Sequence, residues 1–178
     1  MKYLIASDIH GSVYFCKELL KAFETEKANK LVLLGDILYH GPRNDLPKDY
    51  NPKEVIELLN NMKEKILCVR GNCDTEVDQM VLKFPVLADY AVLCEEGHLI
   101  YLAHGHKEKP PIAECDIYIQ GHTHVPTYTN NHLNPGSVSI PKENSHHGYM
   151  TLEKGEFLWK NFEGETINHF KLQLTTRP

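Results

Sequence analysis

The sequence predicts an α/β fold, and three observations support this prediction. The 178 residues suit a single domain spanning residues 1–178, because a chain of this length buries roughly two thirds of its unfolded surface in one core. Apolar runs of strand length recur along the chain. The early runs are separated by segments whose apolar residues repeat at helical spacing, whereas the late runs follow one another across short turns.

Continuous apolar runs predict strands that are covered on both faces. These runs are residues 3–6, 31–34, 66–69, 99–103 and 117–119. Two helices are expected between the first three strands, because apolar stripes run from Val13 to Phe23 and from Val55 to Met62. Asn51 precedes the second stripe as a suitable N-cap and is followed by Pro52, which suits the first helical position.

The second half of the chain predicts antiparallel strands. Residues 88–94 and 99–103 are separated by a short polar turn and so predict a hairpin. Residues 149–152, 157–162 and 166–174 repeat the pattern near the C-terminus. Both parallel and antiparallel pairing is therefore expected in the fold.

Composition and charge disfavour several classes of protein. The 19 basic and 24 acidic residues leave a formal net charge of -5, which argues against a dedicated nucleic-acid binder. The five cysteines form no C-x-x-C pair, so a reducing cytoplasmic location without disulfides or a thiolate zinc site is expected. The first apolar run is too short for a signal peptide and no later run could span a membrane, so export and membrane insertion are not expected.

Each predicted buried strand is followed by side chains that can bind a metal ion. Ligands of α/β sheets bind beyond the carboxyl ends of the strands, so these side chains are expected to converge. The set contains two carboxylates, one amide and four imidazoles: Asp8, His10, Asp36, Asn72, His104, His122 and His124. Such nitrogen and oxygen donors suit Mn²⁺, Fe²⁺, Zn²⁺ or Ni²⁺. Because seven side chains exceed the needs of one ion, two divalent ions that share a carboxylate are expected.

Five motifs carry these side chains along the chain: Asp8-Ile9-His10, Gly35-Asp36, Gly71-Asn72-Cys73-Asp74, His104-Gly105-His106 and Gly121-His122-Thr123-His124. In this order they resemble the signature of the calcineurin-like metallophosphoesterases. Together with the loops at residues 36–44 and 134–141, they are similar to the short bacterial and archaeal phosphodiesterases of the YfcE type. The resemblance spans nearly the whole chain.

This resemblance implies a four-layer sandwich, in which helices flank two mixed β-sheets. It also implies a role for each of the seven ligands: Asp8, His10 and His124 at the first ion, Asn72, His104 and His122 at the second, and Asp36 at both. Four glycines of the motifs, at positions 35, 71, 105 and 121, are then expected where backbone passes close to a ligand. A dimer or tetramer is a further implication of the family likeness.

The activity implied is hydrolysis of a small-molecule phosphodiester by a hydroxide that bridges the two metal ions, with Mn²⁺ favoured. Many family members have a histidine that protonates the leaving group at the position of Cys73. Since a thiol is a poor acid unless its pKa is tuned, aryl or other activated diesters are the expected substrates. His106, His40 or metal-bound water are candidate replacements for the acid, and Arg43 is a candidate clamp for a phosphate oxygen.

Three other functions stay open. A phosphomonoesterase of the same family is the nearest, although a dianionic monoester would want an extra cation and a competent acid. A non-catalytic scaffold on the same fold would be expected to lose ligands, yet all seven positions are filled. A nuclease is disfavoured by the net charge. Five remaining histidines lie in turns or polar stretches and are expected to face solvent: His98, His132, His146, His147 and His169.

Overall fold

Two mixed β-sheets form the framework of the chain, whose computed structural model describes residues 1–129 and 131–172. The strands of the first sheet are β1 (Lys2–Ala6), β2 (Lys30–Leu33), β3 (Ile66–Cys68), β9 (Gly148–Glu153), β10 (Glu156–Asn161) and β11 (Thr166–Lys171). Their order across the sheet is β11-β10-β9-β1-β2-β3. The pairs β1–β2 and β2–β3 are parallel, whereas β9 pairs antiparallel with both β1 and β10.

The second sheet comes from the middle of the chain. Its strands are β4 (Tyr90–Glu95), β5 (His98–Ala103), β6 (Ile117–Ile119), β7 (Thr127–Thr129) and β8 (His132–Asn134), in the order β4-β5-β6-β8-β7. The predicted hairpin is present as β4 and β5, while β5, β6 and β8 run parallel. Both sheets are therefore mixed, as predicted.

The two predicted helices are α1 (Val13–Thr25) and α2 (Pro52–Asn60). The Ser12 hydroxyl caps α1 by accepting a hydrogen bond from the backbone N–H of Phe15. Asn51 caps α2 in the same way. Pro52 occupies the first turn, where a backbone N–H would have no partner within the helix, so the missing N–H of proline costs no hydrogen bond. A 3-10 turn (Lys63–Lys65) and a short helix α3 (Glu76–Val81) complete the helical segments of the described residues.

Alternate residues of β1 point into two different cores, which shows how the layers are arranged. Leu4 and Ala6 pack with the buried faces of α1 and α2. Ile5 packs with residues of the other sheet, such as Ile100 and Ile119. The sandwich architecture is thus confirmed, and no helix of residues 1–129 and 131–172 has both the length and the apolar character to cross a bilayer.

Some elements depart from the sequence-based expectations. The short helix α3 buries none of its side chains and therefore shows no apolar stripe. β7 and β8 have three residues each, too few for a periodic signal. The last strand ends at Lys171, and residues 173–174 of the predicted segment lie outside the described residues. The expectation of a solvent-facing His98 is wrong, because its ring is buried and its Nδ1 lies 2.6 Å from the carbonyl oxygen of Cys115.

Candidate metal centre

The seven candidate ligands lie in loops at the carboxyl ends of five strands. Parallel β1, β2 and β3 bring the loops that follow them to one edge of the first sheet, and β5 and β6 do so in the second. The first two loops are hydrogen-bonded to each other, since the backbone N–H of His10 donates to the carbonyl of Asp36 at 2.9 Å. The two loops of the second sheet are joined in the same way, since the backbone N–H of Gly121 donates to the carbonyl of His104 at 3.0 Å.

Five of the candidate ligands adopt left-handed backbone conformations that non-glycine residues rarely use. Their φ angles are 60° for Asp8, 49° for His10, 54° for Asp36, 67° for His122 and 62° for His124. Such conformations carry a free-energy cost and concentrate at functional sites, where the surrounding structure holds them. The backbone thus turns each side chain toward a common centre.

One group of donor atoms forms around Asp8. Its Oδ1 lies 3.5 Å from Nε2 of His10 and 3.2 Å from Nε2 of His124. The opposite ring nitrogen, Nδ1, faces the carbonyl oxygen of Tyr39 in His10 and that of Ile140 in His124, at 2.7 and 2.6 Å. A carbonyl only accepts, so each Nδ1 donates to it, and each Nε2 keeps a lone pair that a metal ion beside Asp8 could accept.

A second group forms around His104. Its Nε2 lies 3.0 Å from Oδ1 of Asn72 and 3.2 Å from Nδ1 of His122. Its Nδ1 lies 2.6 Å from the carbonyl oxygen of Leu34, which orients the ring as in the first group. Oδ2 of Asp36 is 3.5 Å from Nε2 of His104 and 3.7 Å from Nε2 of His10, so this one carboxylate faces both groups.

The buried atoms of the two groups fit a cation. Oδ1 of Asp8 is fully buried and forms no hydrogen bond with any of the described residues. Leaving a buried carboxylate oxygen unpaired is costly, whereas a metal ion in contact with it would satisfy it. The described residues contain three sets of potential metal ligands, and within each set the ligand atoms lie within 4.8 Å of one another. One of these sets consists of Asp8, Asp36 and His104. The site therefore suits divalent metal binding.

Electrostatics also favours positive charge at this centre. Burial acts to raise the pKa of Asp8, but the neighbouring imidazoles of His10 and His124 outweigh it and lower that pKa. Burial acts to lower the pKa of His104, whereas the Asp36 carboxylate raises it to about 9. The carboxylates of Asp8 and Asp36 likewise raise the pKa of His10, although burial acts to lower it.

Two of the four motif glycines, Gly71 and Gly121, let the backbone come close to the carboxylates of the centre. At Gly105, a Cβ would instead meet the side chain of Gln120, at 2.8 Å. A Cβ on Gly71 would lie 2.1 Å from Oδ1 of Asp36, well inside van der Waals contact. A Cβ on Gly121 would lie 1.8 Å from the hydroxyl oxygen of Ser7, in the strand end that leads to Asp8. A larger residue at position 71 would displace the Asp36 carboxylate, and one at position 121 would displace the Ser7 side chain.

The sequence interpretation missed side chains that support the ligands. The Asp74 carboxylate accepts backbone hydrogen bonds from Asp36, Ile37 and Gly71 at 2.8, 3.0 and 2.7 Å. The hydroxyls of Ser137 and Ser139 both donate to the backbone carbonyl of Asp8, at 3.0 and 3.1 Å. Asp74 lay within a recognised motif, whereas nothing local marks the two serines, whose bonds span more than 120 residues.

A cavity of about 400 Å³ opens directly onto the centre. Its walls include Asp36, Asn72, His122 and His124, together with the predicted residues Arg43 and Cys73. The Cys73 side chain is half-buried, and its backbone N–H donates to Oδ1 of Asp36 at 2.8 Å. Burial, with the adjacent Asp36 carboxylate, raises the pKa of the Cys73 thiol. The cavity therefore combines the metal-binding groups with room for an organic substrate.

His106 does not line this cavity. It lines a separate cavity of about 210 Å³ together with His104, Tyr90 and Tyr118. Its ring centroid is 5.4 Å from that of His104 and 6.4 Å from that of His122. His106 is thus adjacent to one group of ligands but faces a different space from Arg43 and Cys73.

Comparison with known proteins identifies the family of this chain. The model of the calcineurin-like phosphoesterase superfamily domain matches residues 1–156. "Phosphodiesterase YfcE" of Escherichia coli strain K12 is 44% identical over 161 residues, which are 86% of this chain and 88% of that protein. The solved structure of this E. coli phosphoesterase has a TM-score of 0.92 at 40% identity, covering 97% of this chain and 100% of that one. Vacuolar Protein Sorting 29 from Cryptosporidium parvum shares the fold, with a TM-score of 0.61 and 19% identity over 96% of this chain and 97% of its own. The chain described here belongs to the calcineurin-like phosphoesterase superfamily.

Proposed function

We propose that the chain is a phosphodiesterase that requires two divalent metal ions. The observation that carries this proposal is the position of Asp36, whose single Oδ2 atom lies within 3.7 Å of ring nitrogens from both groups of ligand atoms. One carboxylate between two sets of donors is the arrangement that a pair of neighbouring ions requires. The name of the E. coli relative, Phosphodiesterase YfcE, supports the same class of reaction.

The proposed ligands follow the two groups of atoms. Asp8, His10 and His124 would hold one ion, Asn72, His104 and His122 would hold the other, and Asp36 would contact both. Divalent ions held there supply Lewis acidity toward the phosphoryl oxygens and toward the attacking water. The donor set contains only imidazole, carboxylate and amide atoms, so Mn²⁺ is the favoured occupant, with Zn²⁺, Fe²⁺ and Ni²⁺ also accommodated.

The remaining predicted residues have different places around the substrate. Arg43 lies at the exposed rim of the main cavity, where its guanidinium can donate to an anionic oxygen of the substrate. Cys73 contributes a neutral thiol to the cavity wall beside Asp36. His106 faces the second cavity, so we propose that it supports the positions of the His104 and His122 rings.

The described wall of the main cavity contains no histidine besides the proposed ligands His122 and His124, which suits a leaving group that needs little protonation. Aryl diesters release a phenolate whose conjugate phenol has a low pKa, so they are the proposed test substrates. A phosphomonoesterase is the second candidate, because Arg43 and Lys142 supply the extra positive charge that a dianionic monoester would want. Cys73 in place of a histidine argues against it.

Two measurements on purified, metal-depleted protein test the proposal. Addition of Mn²⁺ should restore hydrolysis of bis(p-nitrophenyl) phosphate, and metal analysis after dialysis should find two ions per chain. Asp36→Asn should lower both the ion count and the rate, by about a hundredfold or more in kcat. Asp45→Asn, in an exposed loop, is the matched control and should leave both unchanged. One ion per chain, or no rate above buffer with any divalent metal, would contradict the proposal.

A further inference from the structure

Two cationic side chains of the main cavity wall form no ion pair with the described residues. Arg43 and Lys142 both line it and both are exposed at its rim. Neither forms an ion pair with any of the residues in 1–129 and 131–172. Their charge is therefore free to act on whatever enters the cavity. Lys142 was not among the residues predicted to form the site.

The loops that carry these cations are fastened to the metal-binding groups. The Tyr39 carbonyl bonded to His10 lies four residues before Arg43, and the Asn44 side chain ties the same loop by donating to the carbonyl of His40 at 2.8 Å. This arrangement holds the start of the Arg43 loop beside the centre.

The Lys142 loop is attached to His124 at two points. The carbonyl of Ile140 lies 2.6 Å from Nδ1 of His124, and the backbone N–H of Lys142 donates to the His124 carbonyl at 3.2 Å. The Ser145 hydroxyl then donates to the carbonyl of Lys142 at 2.6 Å, which closes the loop into a turn. The backbone of Lys142 is consequently held beside a proposed ligand.

The size and charge of the cavity together indicate what this pair of cations binds. A phosphodiester carries one negative charge, which the two proposed divalent ions would balance. A volume of about 400 Å³ also exceeds what a phosphoryl group alone needs. Two further cations in the wall of the same cavity would attract an additional anionic group that is attached to the phosphodiester.

We propose that Arg43 and Lys142 form a second anion subsite, and that the substrate is a phosphodiester whose alcohol portion carries a further carboxylate or phosphate group. This inference rests on the proposed phosphodiesterase function and adds the substrate class to it. Lys142 is then a specificity-determining residue, whose ammonium group acts on the substrate at a distance from the phosphorus atom.

Three p-nitrophenyl diesters of similar length test the inference, with propyl, 2-carboxyethyl or 2-phosphonoethyl as the second group. The Mn²⁺-loaded protein should hydrolyse at least one of the two anionic esters with a kcat/KM about fivefold above that of the propyl ester, through a lower KM. The larger gain identifies which anion the subsite prefers. Raising the salt concentration should reduce the preference, because exposed charges are screened.

Lys142→Gln should reduce the preference for the anionic esters toward unity. Lys21→Gln is the matched control, since Lys21 lies on α1, does not line the main cavity and has a side chain that is 76% exposed. Calorimetric binding of 3-phosphonopropionate against propylphosphonate gives a readout that does not depend on turnover. The wild type and Lys21→Gln should bind the carboxylate compound more tightly, and Lys142→Gln should lose that difference.

The outcomes separate this inference from the proposed function. Hydrolysis of all three diesters with equal kcat/KM, together with equal binding of the two phosphonates, would overturn the inference and leave the phosphodiesterase proposal intact. No hydrolysis of any diester would overturn the proposed function. Faster turnover of p-nitrophenyl phosphate than of every diester would indicate that Arg43 and Lys142 bind the second negative charge of a phosphomonoester. This result would also overturn the inference.

Discussion

The Asp74 carboxylate accepts a 2.8 Å hydrogen bond from the backbone N–H of Asp36, the residue that faces both groups of ligand atoms. The same oxygen accepts from the N–H of Gly71 at 2.7 Å, and the second oxygen accepts from Ile37 at 3.0 Å. One buried carboxylate therefore joins the loop after β2 to the loop after β3. These are the loops that carry Asp36 and Asn72.

Replacing this carboxylate is expected to loosen the centre. Asp74→Asn keeps the size of the side chain but exchanges one acceptor for an NH₂ group, which faces N–H donors. Leaving buried donors unpaired should lower the free energy of unfolding by about 1–3 kcal/mol. Chemical denaturation of metal-free protein measures this loss, and Mn²⁺ titration should show weaker binding. Unchanged Mn²⁺ affinity in the folded variant would contradict the positioning role.

Gly71→Ala should disturb the Asp36 carboxylate directly. The new Cβ would lie 2.1 Å from Oδ1 of Asp36, so either the side chain or the backbone must shift. Bound metal and kcat on an aryl diester should fall together, by about tenfold or more, since a displacement of about 1 Å is enough to misplace a ligand. Gly97→Asn is the control, because a Cβ there meets nothing within 4 Å and Asn tolerates its φ of 81°. Normal metal content in Gly71→Ala would refute the expected clash.

Cys73→His should change the selectivity between aryl esters. An imidazole at this half-buried position beside Asp36 introduces a group able to donate a proton to a leaving group, which the thiol with its raised pKa does poorly. We expect the ratio of kcat/KM on p-nitrophenyl phosphate to that on bis(p-nitrophenyl) phosphate to rise by about tenfold. Cys94→His, at an exposed position of β4, is the control. The same ratio in Cys73→His and the wild type would show that residue 73 does not limit protonation.

An ion-pair cluster away from the centre predicts a pH-dependent stability. The Glu26 carboxylate pairs with the ammonium groups of Lys2 and Lys160 and accepts a 3.1 Å hydrogen bond from the Tyr149 hydroxyl. These contacts tie the end of α1 to strands of the first sheet. Burial acts to raise the pKa of Glu26, but the two lysines outweigh it and hold that pKa below its usual range.

Because the folded-state pKa of Glu26 is lowered, its contribution to stability is present above the unfolded value and disappears as the pH falls through the folded value. Glu26→Gln should therefore lower the free energy of unfolding by about 1 kcal/mol near pH 7. The difference from the wild type should begin to shrink near pH 4.5 and approach zero at lower pH. Denaturation curves between pH 3 and 7 measure it, with Glu18→Gln as the control because the nearest ammonium, on Lys21, is 3.9 Å away. A pH-independent difference would contradict the assignment.

Much of the candidate centre was predictable because its ligands directly follow the apolar runs. Runs such as residues 3–6 and 31–34 show where a buried strand ends, and polar residues such as Asp8 and Asp36 come just after them. Parallel pairing then carries these ends to one edge. Alternation and helical periodicity are local properties, so strands, both main helices and the N-cap at Asn51 could be recognised without knowledge of any distant contact.

Other features depend on contacts between segments far apart in the chain, which no local pattern encodes. Ser137 binds the carbonyl of Asp8 across 129 positions, and His98 is buried through its partner on the loop before β6. Chain folding likewise sends His106 into a different cavity from Cys73, although both follow strand ends. Residue identity and spacing thus predicted the candidate ligands and the succession of strands along the chain. Only the packing of the loops established which side chains share the main cavity. The direction of a loop side chain depends on the hydrogen bonds that hold the loop backbone, such as those of Ile140 and Lys142 with His124.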